Sequence, residues 1–453
     1  MENSVLIESF DVEKTNGATH TLTTDVGSLA SAFVKNNNNT RKGSAGLIGN
    51  TGNLGPRDAS MAAELTATDT ITFRNGNGTQ KMMGEVWRYV GPIGGANEFI
   101  VRGRFAITLA DGVASNSAAI SGIVDENDCV PFVAGYTATS VSTSDYDGAT
   151  FAVRTDGSGN VVVSRRNTGG SITVYVTVVE FTGSNWSIGY GASASHDASR
   201  EEITLTTRSG GAYDHGDWAT AFIEATGQGD TSETGLGDTM FVAEPGTATN
   251  KVYVDYQTYG DGVARNDGTA YVYCIANTSM IVTRDTFTNL GEGNGSYGTN
   301  LSFPAGASTA RNLNELALEW FVDTTGTGTA HARASIAARI TDATGVVRHW
   351  VHRSGNDIDG SYAVIDLSQL LYTPESDSPS SSPSSSASSS PSDSVSDSPS
   401  DSVSDSASDS PSDSVSSSVS DSVSSSPSTA PHPGGSLKRW NGTTWEGTTG
   451  YLT

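Results

Sequence analysis

The sequence has little positive charge, little sulfur and no long apolar segment. Six of its 453 residues are lysine, whereas 50 are Asp or Glu, and the formal net charge is −25. An acidic surface repels phosphate backbones, so we expect no nucleic-acid partner. No window approaches 18 apolar residues, so no membrane insertion is expected. The start, MENSVLIESFDVEK, shows no basic segment followed by an apolar one, and therefore no visible signal peptide.

Cysteine and catalytic motifs are also scarce. Cys129 and Cys274 lie far apart in the apolar segments DCVPFV and YVYCIA. Two cysteines do not make a disulfide framework, so we expect buried free thiols. No G-x-S-x-G, H-E-x-x-H, Walker A or C-x-x-C motif is present. The sequence therefore predicts no catalytic residue and no enzyme.

The first 372 residues are dominated by short alternating segments. In ITVYVTVVEF, Ile172, Val174 and Val176 point one way and Thr173 and Tyr175 the other, which is the period of a half-buried strand. Turn signals such as NGNG, DGSGN and NTGG separate these segments. Strands at this spacing predict an all-β fold of tandem antiparallel β-sandwich modules, jelly-roll-like in character.

Internal similarity suggests two such modules. SAFVKNNN (31–38) resembles TAFIEATG (220–227), and GEVWRYVG (84–91) resembles VTVVEFTG (176–183). We expect one module over 1–190, with a subdomain to about residue 95, and a second over 191–372. Short helices are predicted at 28–36, 217–226 and 312–321; in the last, Leu313, Leu316 and Trp320 would share one face.

A Ser-rich acidic segment follows at 373–433. From Glu375 to Pro433 it holds nine acidic residues, no Lys or Arg, and no apolar side chain larger than Val. Such a composition cannot bury enough surface to fold, so a disordered, extended linker is predicted. Residues 434–453 differ, because Trp440 and Trp445 flank NGTT in a predicted β-hairpin. A hairpin this short is not stable alone, which predicts that it docks on itself or on another protein.

Several polar and aromatic residues are candidates for binding through surface loops. Asp145 and Asp147 would share a face if extended, which suits calcium, although a solvated turn is the alternative. Trp186 and Tyr190 follow a strand, where aromatics stack on sugars or close the end of a sandwich. The segment YDHGDW places Asp214 beside Trp218, with a turn leading into a helix as the alternative to catalysis.

Three segments resemble recurring parts of appendage proteins from tailed bacteriophages, the tail-fibre-like class. They are GGANEFIVRGRF (94–105), DCVPFVAGYT (128–137) and VTVVEFTGSNWSIGYG (176–191), followed by the Ser/Pro/Asp repeat and the segment KRWNGTTW. The resemblance implies β-sandwich folds and a structural role in the virion, assembled in the host cytoplasm. It carries over no catalytic residue.

The resulting hypothesis is a non-enzymatic tail fibre or appendage. It would be a homo-oligomer that contacts other virion proteins or a host-surface glycan through many weak sites. The alternatives are a head decoration or head fibre protein of the same virion, a bacterial Ser-rich adhesin, and a polysaccharide depolymerase.

Overall fold

The structure is a computed structural model of the full chain. It describes residues 1–37, 60–76, 79–141, 147–193, 200–228, 241–256, 269–287, 296–297, 300–307, 311–324, 336–342, 345–351, 358–373, 438–440 and 445–447. The chain divides into a body, Met1–Ser378, and a C-terminal part, Pro379–Thr453. Within the described residues, no helix is both long enough and apolar enough to span a membrane.

The first half of the body contains thirteen described strands. They are β1 (Glu2–Asn3), β2 (Val5–Thr15), β3 (Thr19–Thr21), β4 (Ala32–Asn36), β5 (Met61–Ala67), β6 (Thr70–Asn75), β7 (Thr79–Tyr89), β8 (Ile100–Leu109), β9 (Ser115–Ala119), β10 (Cys129–Ala138), β11 (Ala152–Thr155), β12 (Asn160–Ser164) and β13 (Ile172–Glu180).

The second half continues with fourteen described strands, and the C-terminal part adds two. They are β14 (Trp186–Ala192), β15 (Arg200–Thr204), β16 (Ala221–Gln228), β17 (Phe241–Pro245), β18 (Lys251–Tyr256), β19 (Thr269–Asn277), β20 (Ile281–Phe287), β21 (Ser296–Tyr297), β22 (Leu301–Ser302), β23 (Leu316–Thr324), β24 (Ile336–Asp342), β25 (Val346–Val351), β26 (Ile358–Asp366), β27 (Leu371–Tyr372), β28 (Lys438–Trp440) and β29 (Trp445–Gly447).

One strand order recurs four times along the body. In unit 1 (β2–β7) the first, sixth and third strands form the sheet β2-β7-β4, and the second, fifth and fourth form β3-β6-β5. Unit 2 (β8–β13), unit 3 (β14–β19) and unit 4 (β20–β26) repeat this order, and in unit 4 both β21 and β22 take the second position. Two facing antiparallel sheets in this order are a six-stranded jelly roll. The all-β class is confirmed.

The recurrence also accounts for the internal similarity of the sequence. The similar segments at 31–38 and 220–227 overlap the third strands of units 1 and 3, and those at 84–91 and 176–183 overlap the ends of the sixth strands of units 1 and 2. The unit is therefore about half the length of the expected module. The expected boundary at 190 lies in β14, where unit 3 begins, and the division into two domains stays a prediction.

The three predicted helices are wrong, because each segment has one 3-10 turn and then becomes a strand. The turns are Leu29–Ser31, Trp218–Thr220 and Leu313–Glu315, and the structure also describes Glu126–Asp128 and Asp147–Ala149. Ser28 and Asp217 cap the first two turns through side-chain oxygens, which explains the helical signal. The strands that follow are buried on both faces, so apolar residues fill consecutive positions and the alternation of a strand is hidden.

In each unit, the sheet formed by the first, sixth and third strands is buried on both faces. One face packs inside its own unit, and the other faces the centre of the body. In β19, Val272 and Cys274 face the interior of unit 3, whereas Tyr273 and Ile275 belong to a cluster shared by all four units. This central core takes its members from units 1 to 4: Val5, Ile7, Phe33, Trp87, Tyr89, Phe99, Val101, Val130, Phe132, Val179, Phe181, Trp186, Ile188, Phe222, Tyr273, Ile275, Met280, Val282, Ala317, Ala363, Ile365, Leu367 and Leu370. Each unit is therefore a sandwich that contributes one sheet face to a shared central core. Both cysteines are buried and free, as predicted.

Neighbouring units meet through the fourth strand of one and the third strand of the next. Between units 1 and 2, β5 pairs with β10 at Gly135. Between units 2 and 3, Phe151, which lies just before β11, pairs with Gly227 in β16. Between units 3 and 4, β17 packs on β23. The series closes because the amide of Ala338 in β24 donates to the carbonyl of Asn37, just after β4, at 3.3 Å. The same contact thus joins unit 4 back to unit 1.

A buried polar network links the places where one unit ends and the next begins. Asn97 Oδ1 accepts hydrogen bonds from Asn185 at 2.9 Å and Asn277 at 3.2 Å, and Asn97 Nδ2 donates to Ser4 Oγ at 3.2 Å. The amide of Ser4 in turn donates to the carbonyl of Leu370 at 2.6 Å. The network satisfies backbone and side-chain polar groups that the closed arrangement removes from water.

The C-terminal part contains one described strand pair. β28 and β29 are antiparallel, with Trp440 opposite Trp445 in the register. The predicted Asn-Gly turn between them lies outside the described residues, and so does the predicted linker at 373–433 apart from Thr373.

Candidate functional site

The predicted carboxylate pair is only partly covered by the structure. Asp147 begins the 3-10 turn Asp147–Ala149, and Asp145 lies outside the described residues. Among the side chains that the structure describes, no group of three or more His, Cys, Asp or Glu residues is placed to hold a metal ion. Calcium at this turn stays a prediction.

Trp186 lies in the central core, where it takes the packing role rather than the sugar-binding one. Its side chain is 8% exposed, and its ring meets that of Phe181 edge to face, with the centroids 4.9 Å apart. An indole buried in this way cannot offer a face to a ligand.

Tyr190 lies at the centre of a stack of two tyrosines and two arginines. Arg208 Cζ is 4.0 Å from the centroid of the Tyr190 ring, and the Tyr190 and Tyr271 rings lie 6.3 Å apart at 17°. Arg154 Cζ lies 5.5 Å from the centroid of the Tyr271 ring. All four side chains of this arginine–tyrosine stack are half-buried. Cation–π contacts of this kind hold charged groups against apolar rings.

Strand pairing and a unit boundary position the stack. Tyr190 in β14 is opposite Tyr273 in β19, so Tyr271, two residues earlier, is on the same face of the sheet. The Tyr273 hydroxyl accepts a hydrogen bond from the amide of Thr155 in unit 2 at 3.1 Å, and Arg208 donates to the carbonyl of Thr155. The stack therefore spans units 2 and 3. Burial raises the pKa of Tyr190, and the charge of Arg208 opposes that shift.

The turn at 213–218 also belongs to unit 3. Asp214 Oδ1 accepts hydrogen bonds from Thr249 Oγ1 at 2.5 Å and from the amide of Gly216 at 2.9 Å, and these bonds lower the pKa of Asp214, the Thr249 bond most. Asp217 caps the following 3-10 turn by accepting from the amide of Ala219 at 2.8 Å. Both carboxylates thus hold the turn in place, which is the structural alternative raised for this segment.

The aromatic members of the same turn pack on each other. The rings of His215 and Trp218 meet edge to face with centroids 4.2 Å apart, and Trp218 Nε1 donates to the carbonyl of Ala248 at 3.2 Å. Burial is the largest cause of the lowered pKa of His215. Trp218 is half-buried, so part of its indole remains available at the surface.

The structure brings four of the predicted residues, Trp186, Tyr190, Asp214 and Trp218, into one unit. Trp440 and Trp445 pair in the C-terminal part. Sequence reasoning missed Arg154, Tyr271 and Arg208. The spacing of Tyr271 and Tyr273 in TAYVYCIA could have shown that two tyrosines share a strand face, but no sequence signal places Arg154 beside them.

Comparison with known proteins adds no further assignment. No protein-family description, curated protein or solved structure matches the chain.

Proposed function

We propose that this protein is a non-enzymatic structural protein of a tailed-phage virion, a tail fibre or similar appendage. Its body acts as a binding head, and it contacts the host surface or neighbouring virion proteins. The observation that carries the proposal is the pairing of β1 with β27, which joins both ends of the four-unit body at one point. The acidic linker at 373–433 leaves the body at that point, so the body is displayed as one closed head. The resemblance of the sequence to phage appendage proteins supports the same role.

The contact surface that fits this role best is the arginine–tyrosine stack. Its half-buried tyrosines leave part of each ring at the surface, and its guanidinium groups carry N–H donors that suit a carboxylate. Arg154 and Arg208 carry positive charge on a chain whose net charge is −25. A carboxylated host-surface glycan combines a negative charge with apolar sugar faces and is therefore the ligand class that the stack favours. Many copies on one particle would turn weak single contacts into firm attachment.

The role in the virion is tested with purified particles and antibody to residues 1–372. We expect mass spectrometry to find the protein in the particle and immunogold labelling to mark the tail. Labelling of the head would move the assignment to a decoration or head fibre protein. Absence from particles, with the chain a strict monomer at micromolar concentration by light scattering, would overturn the proposal. New reducing ends after incubation with host polysaccharide would replace it with an enzyme.

The binding surface is tested by competition, with purified protein blocking adsorption of the phage to its host. We expect Arg208→Ala to reduce the blocking. Arg200 provides a matched control, because its Cζ lies 4.0 Å from the Tyr253 ring on the other sheet of unit 3. Arg200→Ala removes an equivalent cation–π contact and should block as well as the unchanged protein. Equal blocking by both variants would exclude the stack as the contact surface.

A further inference from the structure

Three side chains of unit 1 that carry an amine, an amide and a carboxylate lie together in the interior. Lys35 is 1% exposed, Asn37 is 2% exposed and Glu85 is fully buried. Lys35 in β4 is the register partner of Glu85 in β7. Asn37 is two residues beyond Lys35 along the same extended chain, so the lysine and asparagine side chains lie on one face. The backbone thus fixes all three groups in one buried place.

The three groups contact one another in an order that suits reaction between them. Lys35 Nζ donates to Asn37 Oδ1 at 3.0 Å, one bond away from the amide carbon Cγ. Asn37 Nδ2 donates to Glu85 Oε1 at 2.9 Å. Glu85 Oε2 lies 3.8 Å from Lys35 Nζ. One oxygen of the carboxylate therefore lies at ion-pair distance from the nucleophilic nitrogen, and the other is hydrogen-bonded to the leaving nitrogen.

Glu85 is also held in place from outside the trio. Its Oε2 accepts from Trp87 Nε1 at 3.1 Å and its Oε1 accepts from the amide of Leu318 in unit 4 at 2.8 Å. Lys35 Nζ donates to the carbonyl of Leu318. The trio is therefore tied to unit 4, at the place where the series of units closes, and both partners are fixed before any reaction.

We propose that Lys35 and Asn37 form an intramolecular amide bond, with Glu85 as the proton carrier. The Lys35 ammonium first gives a proton to Glu85, which removes two charges from a site with no access to water. The neutral Nζ attacks Cγ of Asn37, and the Nζ–Cγ bond forms. Protons pass from Nζ through Glu85 to Nδ2, the Cγ–Nδ2 bond breaks, and ammonia leaves. The products are a neutral secondary amide, a protonated Glu85 and one ammonia, with no change of oxidation state.

The alternative is that the trio remains a buried ion pair bridged by an amide. The two cases differ in covalent structure, so a mass measurement separates them without any variant. The reacted protein is lighter by one ammonia. Because trypsin needs a free lysine side chain, the reacted chain is also not cut after Lys35, and residues 15–41 stay in one peptide that is short of one ammonia. The unreacted chain gives separate peptides 15–35 and 36–41.

The experiment uses the full chain, folded and purified, with intact-mass and tryptic measurements on one sample. We expect the loss of one ammonia and a 15–41 peptide whose fragment ions place the bond between Lys35 and Asn37. An intact mass equal to the sequence mass, with cleavage after Lys35, overturns the proposal. Loss of ammonia placed at another asparagine, as in a cyclic imide, also overturns it.

Variants identify the roles of the three residues. Glu85→Gln keeps the shape of the carboxylate but cannot carry the proton, so we expect the full sequence mass from folded protein. Lys81 is a matched control, since it is 8% exposed and forms a buried ion pair with Asp11. Lys81→Met should keep the ammonia loss. Retention of the loss in Glu85→Gln would overturn the role of Glu85, and its disappearance in folded Lys81→Met would overturn the assignment to Lys35.

Discussion

Glu2 lies opposite Tyr372 in an antiparallel strand pair, and the Tyr372 hydroxyl donates a hydrogen bond to Glu2 Oε2 at 3.0 Å. The first and last strands of the body are therefore neighbours. Residues between them form four units in which the last contacts the first in the same way as any other neighbours. The first and last strands of the body thus meet between two units of a closed series.

This closure predicts that the order of the units can be permuted. We join Tyr372 to Glu2 through a short flexible linker and open the chain between Ile93 and Gly94, where Ile93 is 98% exposed. The permuted chain should unfold within about 5 °C of residues 1–373 in their native order, since the same contacts form. Opening the chain between Val176 and Thr177 inside β13 is the control and should prevent folding. Failure of both permutants would argue that the native order is needed.

The close contact between units 1 and 2 at Gly135 should not tolerate a larger residue. The φ of Gly135 is +131°, and a Cβ at this position would lie 2.0 Å from the carbonyl oxygen of Met61. Gly135→Ala should therefore lower the free energy of unfolding by more than about 3 kcal/mol, measured by denaturant titration. Gly112 is the control, because its φ is +79° and a methyl group added there would meet no atom within 4 Å. Gly112→Ala should cost about 1–2 kcal/mol, and equal losses would mean that backbone strain alone matters.

We expect the buried side chain of Arg165 to hold the loops of unit 2 in place. It is 2% exposed and donates to backbone carbonyls of Leu109, Ala110, Val113, Gly148, Thr168, Gly169 and Gly170. Arg165→Met leaves buried acceptors without donors and should cost at least about 3 kcal/mol in denaturant titration. The surface pair of Arg200 and Glu244 gives the comparison, and Arg200→Met should cost less than about 1 kcal/mol. A similar small loss for Arg165→Met would contradict an organising role.

We expect the folded protein to lose stability in mild acid because of His349. It is fully buried in β25, and burial lowers its pKa from 6.5 to about 4. Below pH 6.5 the unfolded chain binds a proton that the folded chain does not. The free energy of unfolding should therefore fall between pH 6.5 and 4, by up to about 3 kcal/mol.

A substitution isolates this effect. His349 is opposite Ala338, as Phe73 is opposite Ala63 in unit 1, so both occupy the same place in their units. His349→Phe should abolish most of the acid loss in thermal unfolding measured across this pH range. His20→Gln, at a partly exposed histidine, should keep it. An unchanged pH profile in His349→Phe would assign the acid loss to other groups, such as His215, whose pKa burial also lowers, or carboxylates.

We expect the segment at 373–433 to affect the extension of the chain but not the stability of the body. Deleting 375–433 should leave the unfolding temperature of the body unchanged, because the composition of this segment cannot support a core. The same deletion should reduce the hydrodynamic radius, measured by light scattering. A lower unfolding temperature would show that the segment contributes to the fold.

The all-β class and the buried free cysteines could be predicted from the sequence, because alternation in segments such as 171–181 reports burial on one face. The sequence could not show that three segments form a single 3-10 turn each instead of a helix. Their capping residues do cap a turn, but only one turn follows before the strand begins. The segments are 28–36, 217–226 and 312–321. Burial on both faces removes the alternation that would have indicated a strand, and that burial depends on units far away in the chain. Trp186 shows the same limit, since its surroundings come from other units.

The class of local structure, the acidic character of the chain and the distinct composition of 373–433 can all be read from neighbouring residues. The four jelly-roll units, the contact of unit 4 with unit 1 and the meeting of Tyr190 with Arg208 became visible in the folded protein alone. Each of these depends on strand pairing and packing between residues far apart in the chain. Lys35, Asn37 and Glu85 show both influences, because extended local structure aligns the first two residues and pairing with β7 supplies the third.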